Sequence, residues 1–334
     1  MMTYEMFKEI VTEQFLSYMP AEFQNHKVVV NPVNKVNQTL DGLTLMSPEK
    51  SDYKTAPTIY INQIYGTYLE CESLTEALKK AATYLTDAYR SMPKGRIDIT
   101  AEGAKESVVM MLVNTEQNKE MLRDIPHRDF KDLSIIYRYV VDVGKEGIVS
   151  ALITNSVAQG IGMSEKQLYD AAVLNTKRLF PPVVQSMSEV MKEALISDGM
   201  PESLAESMVG EMPPEMSMYV ISNESKINGA VSMLYETELH ALAEKMGSDL
   251  YILPSSIHEV IAVSATGGDP EELAQMVEDI NMGQVEIGER LSNQVYHYDK
   301  DLRQLTLATD NQNRRLDGIV SVAENPLIYD AKSR

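Results

Sequence analysis

The chain has no tryptophan, five phenylalanines and a single cysteine. One cysteine excludes an intrachain disulfide, so stability has to come from burial and hydrogen bonding. That residue, Cys71, stands between Glu70 and Glu72. Neighbouring negative charge suppresses the thiolate and argues against a nucleophilic cysteine. Long apolar runs are also missing. The longest, over 108–113, is far short of the roughly 20 residues a membrane span requires. The N-terminal MMTYEMFKEIVTEQF is acidic and amphipathic, without the basic and apolar regions of a secretory signal. These absences predict a cytoplasmic protein that does not enter a membrane. Basic runs are scarce too: Arg314-Arg315 is the densest pair in a chain of formal net charge −19. A polyanion gains nothing from counterion release on DNA or RNA, so nucleic acid is not the expected partner. The negative charge is spread thinly, which suits solubility better than mimicry of DNA.

What is present fits an ordinary globular chain: 44% hydrophobic and 24% charged, with 17 tyrosines and 21 methionines supplementing Leu, Ile and Val. A length of 334 residues predicts one large domain or two ordinary ones. The organisation we read is an N-terminal α+β region over 1–93, a main α+β domain over 94–310 with a Met-rich helical segment at 184–218, and a polar tail over 311–334. Met92-Pro93-Lys94-Gly95 is the linker candidate between the first two.

Helical spacing of Phe7, Ile10, Val11, Phe15 and Tyr18 predicts a helix over 4–19, stopped by Pro20. Strand patterns over 27–36 and 40–46 join around Asn37, with Asp41-Gly42 as a turn signal. Residues 57–64 read as strand or as the first turn of a helix. Ser73-Leu-Thr-Glu76 is a capping box that opens a helix to about Arg90. Beyond the linker a pattern of two short strands followed by a helix recurs. Strands over 133–143 and 147–153 turn at Gly144-Lys145-Glu146, and the capping box Ser164-Glu-Lys-Gln167 starts a helix to about Leu179. Strands over 218–222 and 230–234 precede a helix over 236–246. Strands over 250–253 and 260–263 precede a helix capped by Asp269 with Pro270 at its first position, running to about Met282. A hairpin over 294–298 and 303–307 closes the series. The fold class is therefore α+β: antiparallel sheet built from repeated hairpin-then-helix units, with helices packed on it.

The densest stretch is DLYILPSSIHEVIAVS, residues 249–264, where two β-branched runs flank a Pro-Ser-Ser turn followed by His258 and Glu259. His258, with Glu259 or Asp249 orienting it, has the residue types of a hydrolase-type or metal-assisted centre. Against this, position 262 is alanine where a zincin needs a second histidine, and adjacent strand residues face opposite ways. The structural reading has His258 bonding the backbone or the serines of the adjacent turn. His297 and Asp299 share a strand face at period 2, as do His127 and Asp129; an exposed edge hairpin is the competing reading of the first pair. Gly267-Gly268 precedes a helix that opens on three carboxylates, which suits capping rather than phosphate binding. No cofactor and no metal set is indicated.

Residues 187–218 carry seven methionines: Met187, Met191, Met200, Met208, Met212, Met216 and Met218. Val184, Met187, Met191, Ala194 and Leu195 are read as one helix face, broken at Asp198-Gly199. Met-rich helical hairpins make adaptable surfaces, and Met187, Met191, Met208 and Met212 are the partner-binding candidates. The alternative is that methionine fills an imperfect core.

The combination DLSIIYRYVVD, SEKQLYDAAVLNTKRLFP, LYILPSSIHEVIAV and VYHYDKDLRQLTL resembles a family of uncharacterised proteins of anaerobic Gram-positive bacteria, known only as a domain of unknown function. The resemblance covers most of residues 1–310. It implies the fold and no activity, so no catalytic residue is carried over; members encoded near mobile-element genes favour a host-interaction or element-maintenance role. The expectation is thus a non-enzymatic protein that binds another protein or a peptide, with a hydrolase centred on His258 as the alternative.

Overall fold

The computed structural model describes residues 2–47, 57–91, 99–144, 147–210, 213, 216–311 and 314–316. The linker candidate Met92–Gly95, the turn residues Lys145 and Glu146, Met212 and the tail beyond Leu316 lie outside them. The chain forms two compact units, Met1–Asp98 and Ile99–Arg334.

In the first unit, α1 (Tyr4–Tyr18) places Phe7, Val11 and Phe15 in the core at four-residue spacing. Strands β1 (Lys27–Lys35), β2 (Gln38–Met46) and β3 (Thr58–Tyr60) make an antiparallel sheet in that order. The β1–β2 link turns at Asn37, whose φ of 62° is the left-handed conformation asparagine tolerates best. Asp41-Gly42 is not a turn: both sit inside β2, opposite Pro32 and Asn31. Asp41 accepts from Tyr4 and Lys8, both at 2.7 Å, fastening α1 to the sheet. At Gly42 a Cβ would meet Val33 at 2.6 Å, so glycine is there for close approach. Residues 57–64 divide between β3 and the start of α2 (Ile61–Cys71), and α3 (Leu74–Ser91) follows with Ser73 accepting from the Glu76 N–H. Ile61, Leu78 and Leu85 complete the core.

The second unit begins with α4 (Ala101–Ser107) and β4 (Val108–Asn114), whose seven residues are all buried. The short α5 (Lys119–Leu122) leads to β5 (His127–Phe130), β6 (Leu133–Gly144) and β7 (Gly147–Leu152). β6 pairs antiparallel with β4, β5 and β7. After α6 (Asn155–Ile161), α7 (Glu165–Leu179) opens with the full capping box read from Ser164 and Gln167. It lies against β4, where Thr176 accepts from the Met110 N–H and Asn175 donates to the Val108 carbonyl. Its first turn is clamped to the sheet. Arg128 forks onto Glu165 at 3.0 and 3.1 Å, stacks over the Tyr169 ring, and Tyr137 donates to the same carboxylate.

The larger sheet contains β8 (Pro182–Ser186), β9 (Tyr219–Asn223), β10 (Leu250–Leu253), β11 (Val260–Ser264), β12 (Tyr296–Asp299) and β13 (Gln304–Leu307). All neighbours are antiparallel, in the order β13-β12-β10-β11-β9-β8. The helices between these strands are α8 (Met187–Ser197), α9 (Glu202–Val209), α10 (Glu236–Met246) and α11 (Pro270–Gln284). The hairpin-then-helix repeat fails at one place. Residues 229–234 form a 3-10 helix, and β9 pairs with β8 and β11 instead. Val184 belongs to β8 and not to the Met-rich helix, because Ser186 and Glu189 form a capping box that starts α8 at Met187. No helix among the described residues is long and apolar enough to cross a membrane.

A carboxylate is among the ties between the smaller sheet of this unit and the larger. Asp132 follows β5 and accepts from Ser292 at 2.5 Å and from the buried Tyr296 hydroxyl. Desolvation outweighs these two bonds and raises its pKa. The folded state therefore holds the Asp132 proton more tightly than the unfolded chain does. The resulting stabilisation is complete below the unfolded pKa, near 3.9, and is lost as pH rises through the raised folded pKa. Relative to wild type, Asp132→Asn is expected to show a flatter fall in unfolding free energy across that interval, measured by urea titration at a series of pH values. Parallel profiles would contradict the assignment.

Candidate functional site

The Pro-Ser-Ser turn packs against a neighbouring segment. Its backbone is zipped to residues 289–292: Ile257 N–H donates to Glu289 O, and Leu291 and Ser292 N–H donate to Ser255 and Pro254 O. His258 is partly buried beside β11 and is gripped from several directions. Its N–H donates to Ser256 Oγ at 3.0 Å, and its carbonyl accepts from Ser222 Oγ at 2.8 Å. Nδ1 accepts from the Asn228 N–H at 3.2 Å, while Nε2 lies 3.4 Å from Glu289 Oε1. An imidazole that accepts at Nδ1 carries its proton on Nε2 when neutral, so Nε2–H faces the Glu289 carboxylate. Neither ring nitrogen is left to take a proton from a substrate or to bind a metal without breaking one of these contacts.

The loop that meets His258, residues 223–229, is held by close approach. A Cβ on Gly229 would lie 2.2 Å from Ser222 Oγ and 2.6 Å from the His258 carbonyl oxygen. Only glycine lets the two backbones touch here. Lys226 and Asn228 both take left-handed φ, 56° and 52°. Nothing in the hydrophobic periodicity marks this loop. The one readable signal is the Asn228-Gly229 dipeptide, a turn former.

The other candidates are dispersed. Asp249 and His297 meet at 3.1 Å across β10 and β12, at the end of the strand pair opposite His258. The four-residue strand between them spans about 13 Å. The second Asp249 oxygen accepts the Lys300 N–H, and Asp299 accepts the Leu302 N–H, so both acids fasten the β12–β13 turn. His127 and Asp129 lie 3.8 Å apart, with Asp129 also taking Ser134. Among the described residues no group of three or more His, Cys, Asp and Glu is placed to hold a metal.

Glu259 belongs to a different place. It lines a groove of about 380 Å³ between α8 and one face of the larger sheet. Val183, Val220 and Ile261 from adjacent strands form the floor, and Met187 and Val190 form the helical wall. Glu193, Glu224 and Glu259 stand on its lining, with Lys226 the lysine among them, 3.7 Å from Glu193. Two separate sequence candidates, Glu259 and Met187, thus meet in one concavity.

The helical hairpin above the groove is thinly packed. α8 has no buried residue and α9 has only Ala205. Met191 and Met208 are 52% and 62% exposed, and Ile196, Leu204 and Met216 are exposed too. A second, more polar cavity of about 590 Å³ borders the hairpin and includes Ser186, Lys192, Glu206, Tyr219 and Lys245. From 187 to 209 the hairpin carries Glu189, Glu193, Asp198, Glu202 and Glu206 against one lysine. That lysine, Lys192, is bound by Glu202 and Glu206 at 3.2 and 2.5 Å, which raises its pKa. Bonds from the Ser186 N–H and hydroxyl lower the Glu189 pKa and keep it charged.

The free edge of β8 is blunted. Glu224 N–H donates to Pro181 O and Met187 N–H to Met218 O, which fixes the bonding alternation along β8 and β9. By that alternation 182, 184 and 186 turn their backbone groups away from β9. Pro182 has no N–H to offer, and the Ser186 N–H is taken by Glu189. A partner strand would find little to pair with there, so side chains rather than a strand edge define the accessible surface.

If His258 acts as a buttress, His258→Ala removes the acceptor for the Asn228 N–H and is expected to cost about 1–3 kcal/mol. Equilibrium urea unfolding measures it; a loss within experimental error of zero would contradict the buttress role.

A family model described as a family of unknown function, DUF5688, matches residues 4–300. No curated protein and no solved structure matches the chain. The match spans both units up to β12, including the His258 turn and the groove, and the chain belongs to this family of unknown function.

Proposed function

We propose that the chain is a binding protein whose groove and α8–α9 hairpin receive a cationic, amphipathic segment of another protein. The observation that carries this reading is the pairing of an apolar floor with a surround in which carboxylates outnumber lysines. Val183, Val220, Ile261, Met187 and Val190 offer side chains that a partner would desolvate. Unbranched methionines repack at little cost, which suits a surface that adapts to its ligand. The carboxylates around them steer a positively charged segment and disfavour nucleic acid. The blunted edge of β8 favours a helix laid into the groove over an added strand.

The test uses 15N-labelled full-length protein titrated with two model helices of equal length, one patterned from leucine and lysine and the other from leucine and glutamate. The lysine peptide is expected to shift resonances of 183–193, 220–226 and 259–261, with a dissociation constant on the order of 10–100 μM. Met191→Glu combined with Val220→Glu is expected to weaken it at least tenfold. Absence of shifts with the lysine peptide, or equal binding of the glutamate peptide, would overturn the reading.

A further inference from the structure

Carboxylates outnumber lysines and arginines in this chain by 49 to 30. Arg90, Arg123, Arg128, Arg303 and Arg314 each have one within 4.0 Å. Arg138, partly buried on β6, has none among the described residues. Its Nε donates to Ser150 Oγ at 2.9 Å and its Nη2 to Ser150 O at 3.1 Å. Burial works against its charge, and its pKa is lowered from the usual value with no carboxylate opposing the shift. Desolvating even part of a cation without a counter-charge is unfavourable, and native proteins normally pair such a group.

Arg138 lines a small, partly open cavity of about 20 Å³, together with Ser150, Asn228, Ile148 and Phe180. The space suits one particle the size of a water molecule or a halide ion. Its unspent polar groups are mostly donors. Arg138 Nη1 and the Asn228 side-chain amide bond to no described residue, and Ser150 Oγ, which accepts from Arg138, has a proton to give. Thr176, also on the wall, is already spent between the Met110 N–H and the Ala172 carbonyl. No carboxylate lines the space.

A second feature points the same way. Asn228 reaches the cavity from the loop that holds two left-handed non-glycine residues, and such backbone persists only where its surroundings enforce it. Here the enforcement is His258 Nδ1 on the Asn228 N–H and the Gly229 contact with the His258 carbonyl. We propose that this cavity is a binding site for a small monovalent anion of the halide class, chloride being the abundant member, held by Arg138, Asn228 and Ser150, with His258 as a positioning residue. The site stands independently of the groove reading, since neither uses the other's ligand.

Two measurements on the full chain test it. In crystals soaked in sodium bromide, an anomalous peak is expected within hydrogen-bonding reach of Arg138 Nη1. A cavity holding water alone, or bromide only elsewhere, would overturn the proposal. In solution, thermal and urea unfolding are followed at constant ionic strength while chloride replaces gluconate. For a dissociation constant on the order of 10 mM, 150 mM chloride raises the folding constant about 16-fold. Arg138→Gln and Asn228→Ala are expected to abolish the rise. His258→Ala is expected to shift half-saturation to higher chloride, and His258→Gln, whose amide oxygen accepts the same N–H, to restore it. An unchanged chloride response in Arg138→Gln and Asn228→Ala would overturn the assignment. Should neither variant fold, the bromide position in the wild-type crystal decides.

Discussion

The contact between the Gly229 backbone and the carbonyl oxygen of His258 fixes the geometry of everything around it. With no side chain between them, the 223–229 loop packs directly on the start of β11. That contact sets Asn228 in its left-handed turn and brings its N–H to the imidazole. It also brings Asn223 to two cavities at once, the groove under α8 and the small space beside Arg138. His258 is thus the keystone of an arrangement of loops.

Around this anchor the second unit divides by packing. The buried face of the larger sheet carries Tyr219, Ile221, Val260, Ala262, Leu250, Ile252, Tyr296 and Tyr298 at strict alternation. The other face pairs Gln185 with Val220, Val220 with Ile261 and Ile261 with Leu253, all partly exposed. α8 covers only part of that second face and buries none of its own residues. Its order comes from caps and ion pairs: Ser186 with Glu189, and Lys192 with Glu202 and Glu206. Exposed pairs of this kind contribute little each, so the hairpin is a lobe of low local stability on a firmly built sheet.

The sequence was legible where one local rule decided the outcome. Ser164 and Gln167 form the capping box their spacing announces, Asp269 and Pro270 start α11, and the 250–253 and 260–263 runs pair as strands. It misled where tertiary contact overrode local signal. Asp41-Gly42 has turn composition, yet glycine is there to admit Val33, and Asp41 answers to Tyr4 and Lys8. Residues 230–234 look like a strand but wind into a 3-10 helix because β9 finds its partners in β8 and β11. Of the candidate residues, Glu259 and Met187 converge, Asp249 joins His297, and Asp299 serves its own turn. Met191 and Met208 are exposed. Asn228 carried only the turn signal it shares with Gly229, and Arg138 carried none, since a cation without a partner is visible only once the chain is folded around it.

The central claim is that an adaptable, weakly packed hairpin sits on a rigid sheet. Native-state hydrogen exchange tests it most directly, because it reads local opening free energies segment by segment. The amides of α8 and α9 are expected to exchange well before those of β10 and β11, through openings that leave the sheet intact. Equal protection in the two regions, lost together in a single global unfolding, would make the methionine segment part of the core and contradict the account.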